Sequence, residues 1–120
     1  ALCHLPHGLC MNLFLPYVLE YNLAERGEII GELLLPLAGA DVYAQTPAVD
    51  RGRAAINTIR EIRDELHRRC KLPRTLSETG KVTKDQIAKI AEMALDDGSI
   101  IYNPVEVDLQ DAIAVLENAW

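Results

Sequence analysis

Between Ala48 and Lys71 the apolar residues Ile56, Ile59, Ile62, Leu66 and Cys70 recur every three to four positions. That spacing lays one apolar stripe along an α-helix; a strand would need a period of two. The other side is charged, with Arg53, Arg60, Glu61, Arg63, Asp64 and Arg68. Glu61 and Glu65 can pair with Arg68 or Arg69 at helical spacing, each pair worth about 0.3 kcal/mol. Arg68, Arg69 and Lys71 crowd the last turn, where positive charge complements the helix dipole. In a chain of 12 basic and 18 acidic residues this cluster reads as capping and not as a nucleic-acid patch. His67 lies on the same surface and is expected to be solvated.

The remaining segments follow the same period. A first helix is expected from Pro6 to about Leu23, with Leu9, Leu13, Val18 and Tyr21 on its core side. Pro16 lies inside it, so a kink or break is expected near residues 12 to 16. A second helix is expected over Glu25 to Ala38, with Ile29, Ile30, Leu33, Leu34 and Leu37 on a broad apolar face, ended by Pro36 and Gly39. Gly39 to Pro47 reads as a connection, and Leu72-Pro73 stops the long helix. Thr75-Leu76-Ser77-Glu78 has capping-box spacing and opens a short turn closed by Gly80. Thr83-Lys84-Asp85-Gln86 is a second capping box, opening a helix through Ile87, Ile90, Ala91 and Ala94. Asp97 to Val107 is a loop with Asn103-Pro104 as its turn signal. Asp108 caps a last helix over Leu109 to Asn118. Ser99 to Tyr102 is the only candidate strand and is too short to found a sheet. The expected fold is a single all-α domain over 1–120, a bundle of five to six helices with short connections.

Composition narrows the function classes. A net charge of −6 disfavours nucleic acid and anionic membrane as partners. No apolar run approaches the ~18 residues that span a bilayer. The first residues lack the basic region of a signal peptide. Three cysteines without a spaced framework fit reduced thiols in a cytoplasmic setting. There is no Gly-rich phosphate loop, G-x-S-x-G elbow or H-E-x-x-H. The Asp96-Asp97 pair reads as a solvated helix end. No residue stands out as a catalytic acid, base or nucleophile. Cys10, with no orienting acid nearby in sequence, reads as an inert buried thiol.

Chemistry concentrates at the start of the chain, where Cys3, His4, His7 and Cys10 fall within eight positions. Pro6 suits the first helical position, which puts His7 in the first turn and Cys10 three positions on along the same face. Three readings are open on residue type alone. The four could form a local zinc site, although the paired C-x-x-C knuckle is absent. His7 could be one ligand of a site completed from outside the chain. Or the cysteines are small buried hydrophobes and the histidines hydrogen-bonded bystanders.

Pro6-His7-Gly8, Asn12, Leu15-Pro16-Tyr17-Val18 and Tyr21-Asn22 together resemble a sequence block of the iron-containing (group III) alcohol dehydrogenases. Leu72-Pro73-Arg74-Thr75-Leu76 with Gly80, then Ala94-Leu95-Asp96-Asp97 with Asn103-Pro104, resemble later segments of that family in the same order. Asp111, Ile113, Leu116 and Ala119-Trp120 are similar to its last helix. The resemblance implies the C-terminal helical domain of a dehydroquinate-synthase-like, iron-type alcohol dehydrogenase fold. It implies an upstream α/β nucleotide-binding domain as partner, and a metal held by an Asp and three His. Of those four ligands only His7 falls in this chain. The whole enzyme would interconvert an alcohol and an aldehyde using NAD(P) and a divalent metal, Fe2+ or in some members Zn2+. Ser99 and Ile100 correspond to a segment lining the substrate pocket, and His4 to a variable position that can support the ligand. Carrying neither the cofactor segments nor three of the ligands, the chain alone is expected to bind neither cofactor tightly and to be inactive; a homo-oligomer stays open. The competing reading is a free-standing helical module that binds a partner or a structural zinc without catalysis. A far-UV circular dichroism spectrum dominated by helix is the expected outcome for the purified chain; a strand-dominated one contradicts the fold.

Overall fold

A computed structural model describes residues 3–120, and among them no strand occurs. The helices are α1 (His7–Glu32), α2 (Leu34–Ala38), α3 (Ala40–Gln45), α4 (Ala48–Cys70), α5 (Ile87–Leu95) and α6 (Leu109–Asn118). Single 3-10 turns lie at Ser77–Thr79, Lys84–Gln86 and Gly98–Tyr102. No helix of the described residues is long and apolar enough to cross a membrane. The fold class expected from the periodicity is the one observed.

The boundaries differ in instructive places. α1 keeps helical backbone angles through Pro16 and leaves them only at Arg26 (φ −130°, ψ 22°). Pro16 is fully buried, so packing around its ring offsets the lost hydrogen bond that would otherwise end the helix. The step at Arg26 resets the register, and Ile29, expected in the core, is 68% exposed while Ile30 is 5%. The expected second helix is therefore the end of α1 plus the short α2. Pro36 is the third residue of α2, where no intrahelical donor is required. Gly39 (φ +89°) closes α2, and its carbonyl then accepts from the Tyr43 amide to start α3, so the expected connection contains a helix. Ser99 to Tyr102 lies in a 3-10 turn and is not a strand.

The chain divides into two compact units: Val18–Leu72, and the two flanking stretches, 1–17 with 73–120, taken together. In the first of these, α4 supplies Ala55 and Ile56, both at 0% exposure, and α1 and α2 supply Ile30 and Leu34. Glycines set how closely the helices approach. A Cβ on Gly52 would stand 2.7 Å from Leu23 Cδ1 and 3.0 Å from the Gly27 carbonyl oxygen, and one on Gly31 would stand 3.0 Å from Arg51 Cβ. Arg51 closes the turn before α4: its Nε donates to the carbonyls of Tyr43 and Thr46, and its guanidinium stacks 3.8 Å from the Tyr43 ring centre. Tyr43 in turn donates to Glu32 at 2.7 Å. Arg63, expected on the charged face, is buried at 9% exposure. His67 is half-buried, and its Nδ1–H donates to the Leu72 carbonyl at 2.9 Å, holding the chain as it leaves α4. Lys71 takes the left-handed conformation (φ +58°) and ends the helix one residue earlier than expected.

The second unit has its own core of Leu13, Leu76, Val82, Ile87, Ala91, Ala112, Leu116 and Ala119. The Leu76 amide donates to the Ala119 carbonyl at 2.8 Å, and the Ser77 hydroxyl to the Trp120 carbonyl at 2.7 Å, which pins the 73–80 segment to the end of α6. The capping box expected at Thr83 and the cap expected at Asp108 both form, whereas at Thr75 only half of the expected box does: the Glu78 amide donates to the Thr75 hydroxyl, but the Glu78 carboxylate accepts from the Arg74 amide. Thr83 with Gln86 starts the turn leading into α5, and Asp108 with Asp111 starts α6. Each such cap is worth about 1 kcal/mol.

Two tests address this packing. Gly52→Ala should destabilise the chain by ~1–2 kcal/mol, because the clash with a backbone carbonyl outweighs the ~1 kcal/mol gain in helix propensity. Gly27→Ala, whose added methyl meets only Leu23 at 4.0 Å, should not destabilise; urea melts of the pair decide. The second concerns Glu20, whose carboxyl is held below its usual value of 4.5 because Arg60, and then Arg53, donate to it, against the opposing effect of burial. Its stabilisation is present above pH 4.5 and lost as pH falls through the depressed value. Glu20 is more than a third exposed, so Glu20→Gln should cost no more than about 1 kcal/mol at neutral pH. The gap to the parent should close below pH 4.5 and shrink in high salt.

Candidate functional site

α1 begins one residue later than its proline suggested. The Pro6 carbonyl accepts from the Leu9 and Cys10 amides at 3.0 and 3.1 Å, so Pro6 is the capping residue and His7 the first helical one. Ahead of it His4 has a left-handed backbone (φ +48°), a conformation His tolerates better than most residues. His4 and His7 are both exposed, and among the described residues neither side chain forms a hydrogen bond or ion pair. The His7 imidazole thus stands at the mouth of a helix with both ring nitrogens unengaged. Behind it the helix is seated by Leu9, Leu13, Phe14 and Tyr17, all packed in the same core.

The cysteines are less exposed than the histidines. Cys3 and Cys10 are half-buried free thiols and line a cavity of about 520 Å3 with Phe14, Ile90, Met93 and Asp97 among its walls. The Cys3 thiol donates weakly, at 3.8 Å, to Gln86 Oε1, the same oxygen that accepts from the Thr83 amide. Cys10 is therefore not sealed in the core as its sequence suggested. Among the described residues no three His, Cys, Asp or Glu side chains converge so as to hold a metal ion. The local zinc site drawn from Cys3, His4, His7 and Cys10 finds no support in this geometry.

Ser99 and Ile100 sit in the 3-10 turn after α5. Asp97 caps that turn, accepting from the Ser99 amide at 2.9 Å and the Ser99 hydroxyl at 2.7 Å. The Ser99 hydroxyl, and after it the amide, hold the Asp97 carboxyl below its ordinary value. Ser99 is thus exposed but engaged, and Ile100 is half-buried. The neighbours Ile101 (75%) and Tyr102 (83%) are the side chains this turn presents to solvent. Sequence reasoning passed over them because the segment was read as an apolar strand candidate. Two adjacent large side chains directly after a Gly-Ser turn were the available signal.

An all-helical unit that offers one unengaged imidazole at a helix start, and little else a metal could use, is the kind of part that completes a site. Comparison with known proteins identifies the kind. Residues 1–120 match the Fe-containing alcohol dehydrogenase family, C-terminal, from end to end, and the chain belongs to that family. It is 29% identical over 119 residues to alcohol dehydrogenase 4 of Saccharomyces cerevisiae, covering 98% of this chain and 28% of the relative. It is 29% identical over 121 residues to lactaldehyde reductase of Escherichia coli, covering 100% and 30%. A crystal structure of 1,3-propanediol oxidoreductase superposes with a TM-score of 0.81 at 28% identity, over 99% of this chain and 29% of that one. The alcohol dehydrogenase from Oenococcus oeni gives 0.82 at 25%, over 97% and 28%. The chain thus spans less than a third of the length of these relatives.

Proposed function

We propose that the 120 residues act as one all-helical domain of a metal-dependent, NAD(P)-linked oxidoreductase that interconverts a small alcohol and its aldehyde. The observation that carries this reading is His7: an exposed imidazole, without a hydrogen-bond partner among the described residues, on the first turn of α1 in a chain of this family. The names of the relatives, alcohol dehydrogenase, lactaldehyde reductase and 1,3-propanediol dehydrogenase, support a small alcohol or aldehyde as substrate. The share of their length that this chain covers supports a partner domain that binds the nucleotide.

The donor chemistry fits a divalent metal. A neutral imidazole suits Fe2+ and Zn2+ alike, and among the described residues His7 has no competing hydrogen bond to break before binding. One donor does not make a site, so the other ligands come from outside the chain. When bound, a metal there would supply Lewis-acid polarisation of the alcohol oxygen, and NAD(P) would supply the hydride chemistry. What this chain does is position. Pro6 and the first turn of α1 fix the direction of the His7 side chain, and the apolar seat behind Leu13 keeps that turn from shifting. His4, three positions ahead, would support the His7 side of the site. Ser99 and Ile100 form part of the wall against which the substrate packs, with Asp97 locking the turn that carries them.

In the protein that joins this domain to its nucleotide-binding domain, His7→Ala should abolish alcohol-dependent NAD(P) reduction and strip the metal. The helical spectrum should stay intact, because the removed ring is exposed and unbonded. Elemental analysis is the deciding measurement: a variant that keeps one metal per chain shows that His7 is not a ligand.

A further inference from the structure

The ≈520 Å3 cavity of the 1–17 and 73–120 unit carries two thiols that the function proposed above does not use. Its size falls within the range of small-molecule sites. Its walls are apolar, from Leu5, Phe14, Val82 and Ile90, and its two nucleophilic groups are the thiols of Cys3 and Cys10. They are not equivalent. The Cys3 sulfur is engaged with Gln86, whereas Cys10 has no hydrogen-bond partner among the described residues and stands on the first turns of α1. The one charged group in the lining is Asp97, whose carboxyl Ser99 keeps ionised. The cavity therefore welcomes apolar neutral molecules and repels anions. The third cysteine, Cys70, is exposed and lies in the other unit, so the chain carries its own reference thiol.

We propose that this cavity is a covalent capture site, with Cys10 as its nucleophile, for neutral electrophiles that carry an apolar tail, the 2-alkenals being the class that fits. The Cys10 sulfur adds to the β-carbon of the alkenal and a C–S bond forms. The π pair of the C=C bond passes to the α-carbon, which gains the proton that the thiol loses. Nothing leaves and no oxidant is needed, so the chain gains the full mass of the alkenal. The tail lies along Phe14 and Ile90, and the aldehyde end stays toward the open side. The site rests on the cavity and its thiols alone and does not depend on the dehydrogenase reading.

Competition among the three thiols tests it. The chain is treated with a limiting amount of 2-alkenals of increasing length, and each cysteine peptide is quantified by mass spectrometry. The expected result is that the ratio of Cys10 to Cys70 modification rises with tail length. The rise should approach fourfold per methylene, which is about 0.8 kcal/mol for a fully buried CH2. Cys3 should lag behind Cys10. With iodoacetate, an anion, the order should reverse in favour of Cys70, while neutral iodoacetamide should restore Cys10. Met93 lines the cavity but is 42% exposed, so Met93→Trp can narrow the entrance without disturbing the core. That variant, with an unchanged helical spectrum, should lose the length dependence at Cys10 and keep the reactivity of Cys70. A Cys10 to Cys70 ratio that is flat with tail length, or Cys70 leading with every reagent, overturns the proposal.

Discussion

The seat of Leu13 is the constraint on which the candidate site depends. Its side chain is at 0% exposure in a core that also contains Leu76, Ile87, Ala91, Ala112 and Leu116. Leu13 lies less than two turns beyond His7, so the position of the imidazole is set by how firmly this one residue is gripped. Truncating a leucine in such a place typically costs 2–5 kcal/mol, which is a large part of the stability of a small chain. A ligand on a helix anchored that close behind it has little freedom to swing, which is what a metal site requires of the groups that hold the ion. The capping boxes at Thr83 and Asp108 serve the same end, because they fix where α5 and α6 begin and so which residues meet Leu13.

Most of the fold could be read from the sequence because its signals were local. The helix of α4, the Thr83 capping box, the Asp108 cap and the glycine after Thr79 each fix structure within a few residues and came out as expected, although Ile62, Leu66 and Cys70 of the α4 stripe lie exposed. The misreadings have one cause: long-range packing overrode a local rule. Pro16 should have broken α1, but it is buried on all sides and the helix passes through it. Ile29 carried the apolar period of its neighbours, yet the step at Arg26 turned it to solvent. Arg63 looked like a member of the charged face of α4, but it lies at 9% exposure. The close approach at Gly52 was invisible for the same reason: its neighbours Leu23 and Gly27 are far away in sequence.

The site divides along similar lines. His7 was marked by residue type and by its place after a proline, both local features. The different exposure of histidines and cysteines was not, since the cavity that Cys3 and Cys10 line is walled by residues 76 to 97, far away in sequence. Pairing of Ser99 with Asp97 was also hidden, because an Asp before a Gly-Ser turn reads equally well as a solvated helix end. The comparisons add what no local signal contains, namely that this arrangement of helices belongs to a family of alcohol dehydrogenases.

The core around Leu13 joins residues near the start of the chain to residues beyond 72, with Val18–Leu72 forming a unit of its own between them. Closing a loop of that size is entropically costly, though the cost grows only logarithmically with length. It has a consequence in time. Contacts within α4, or across the short links of α2 and α3, connect near neighbours and form quickly, whereas those joining Leu13 to Leu116 must wait for a long search. The turn that carries His7 is therefore expected to be seated in its core late, after the intervening helices have formed. Until then its apolar side, Leu9, Leu13 and Phe14, is open to whatever else is nearby, so the most aggregation-prone moment in the life of this chain is also the one just before its candidate metal ligand falls into place.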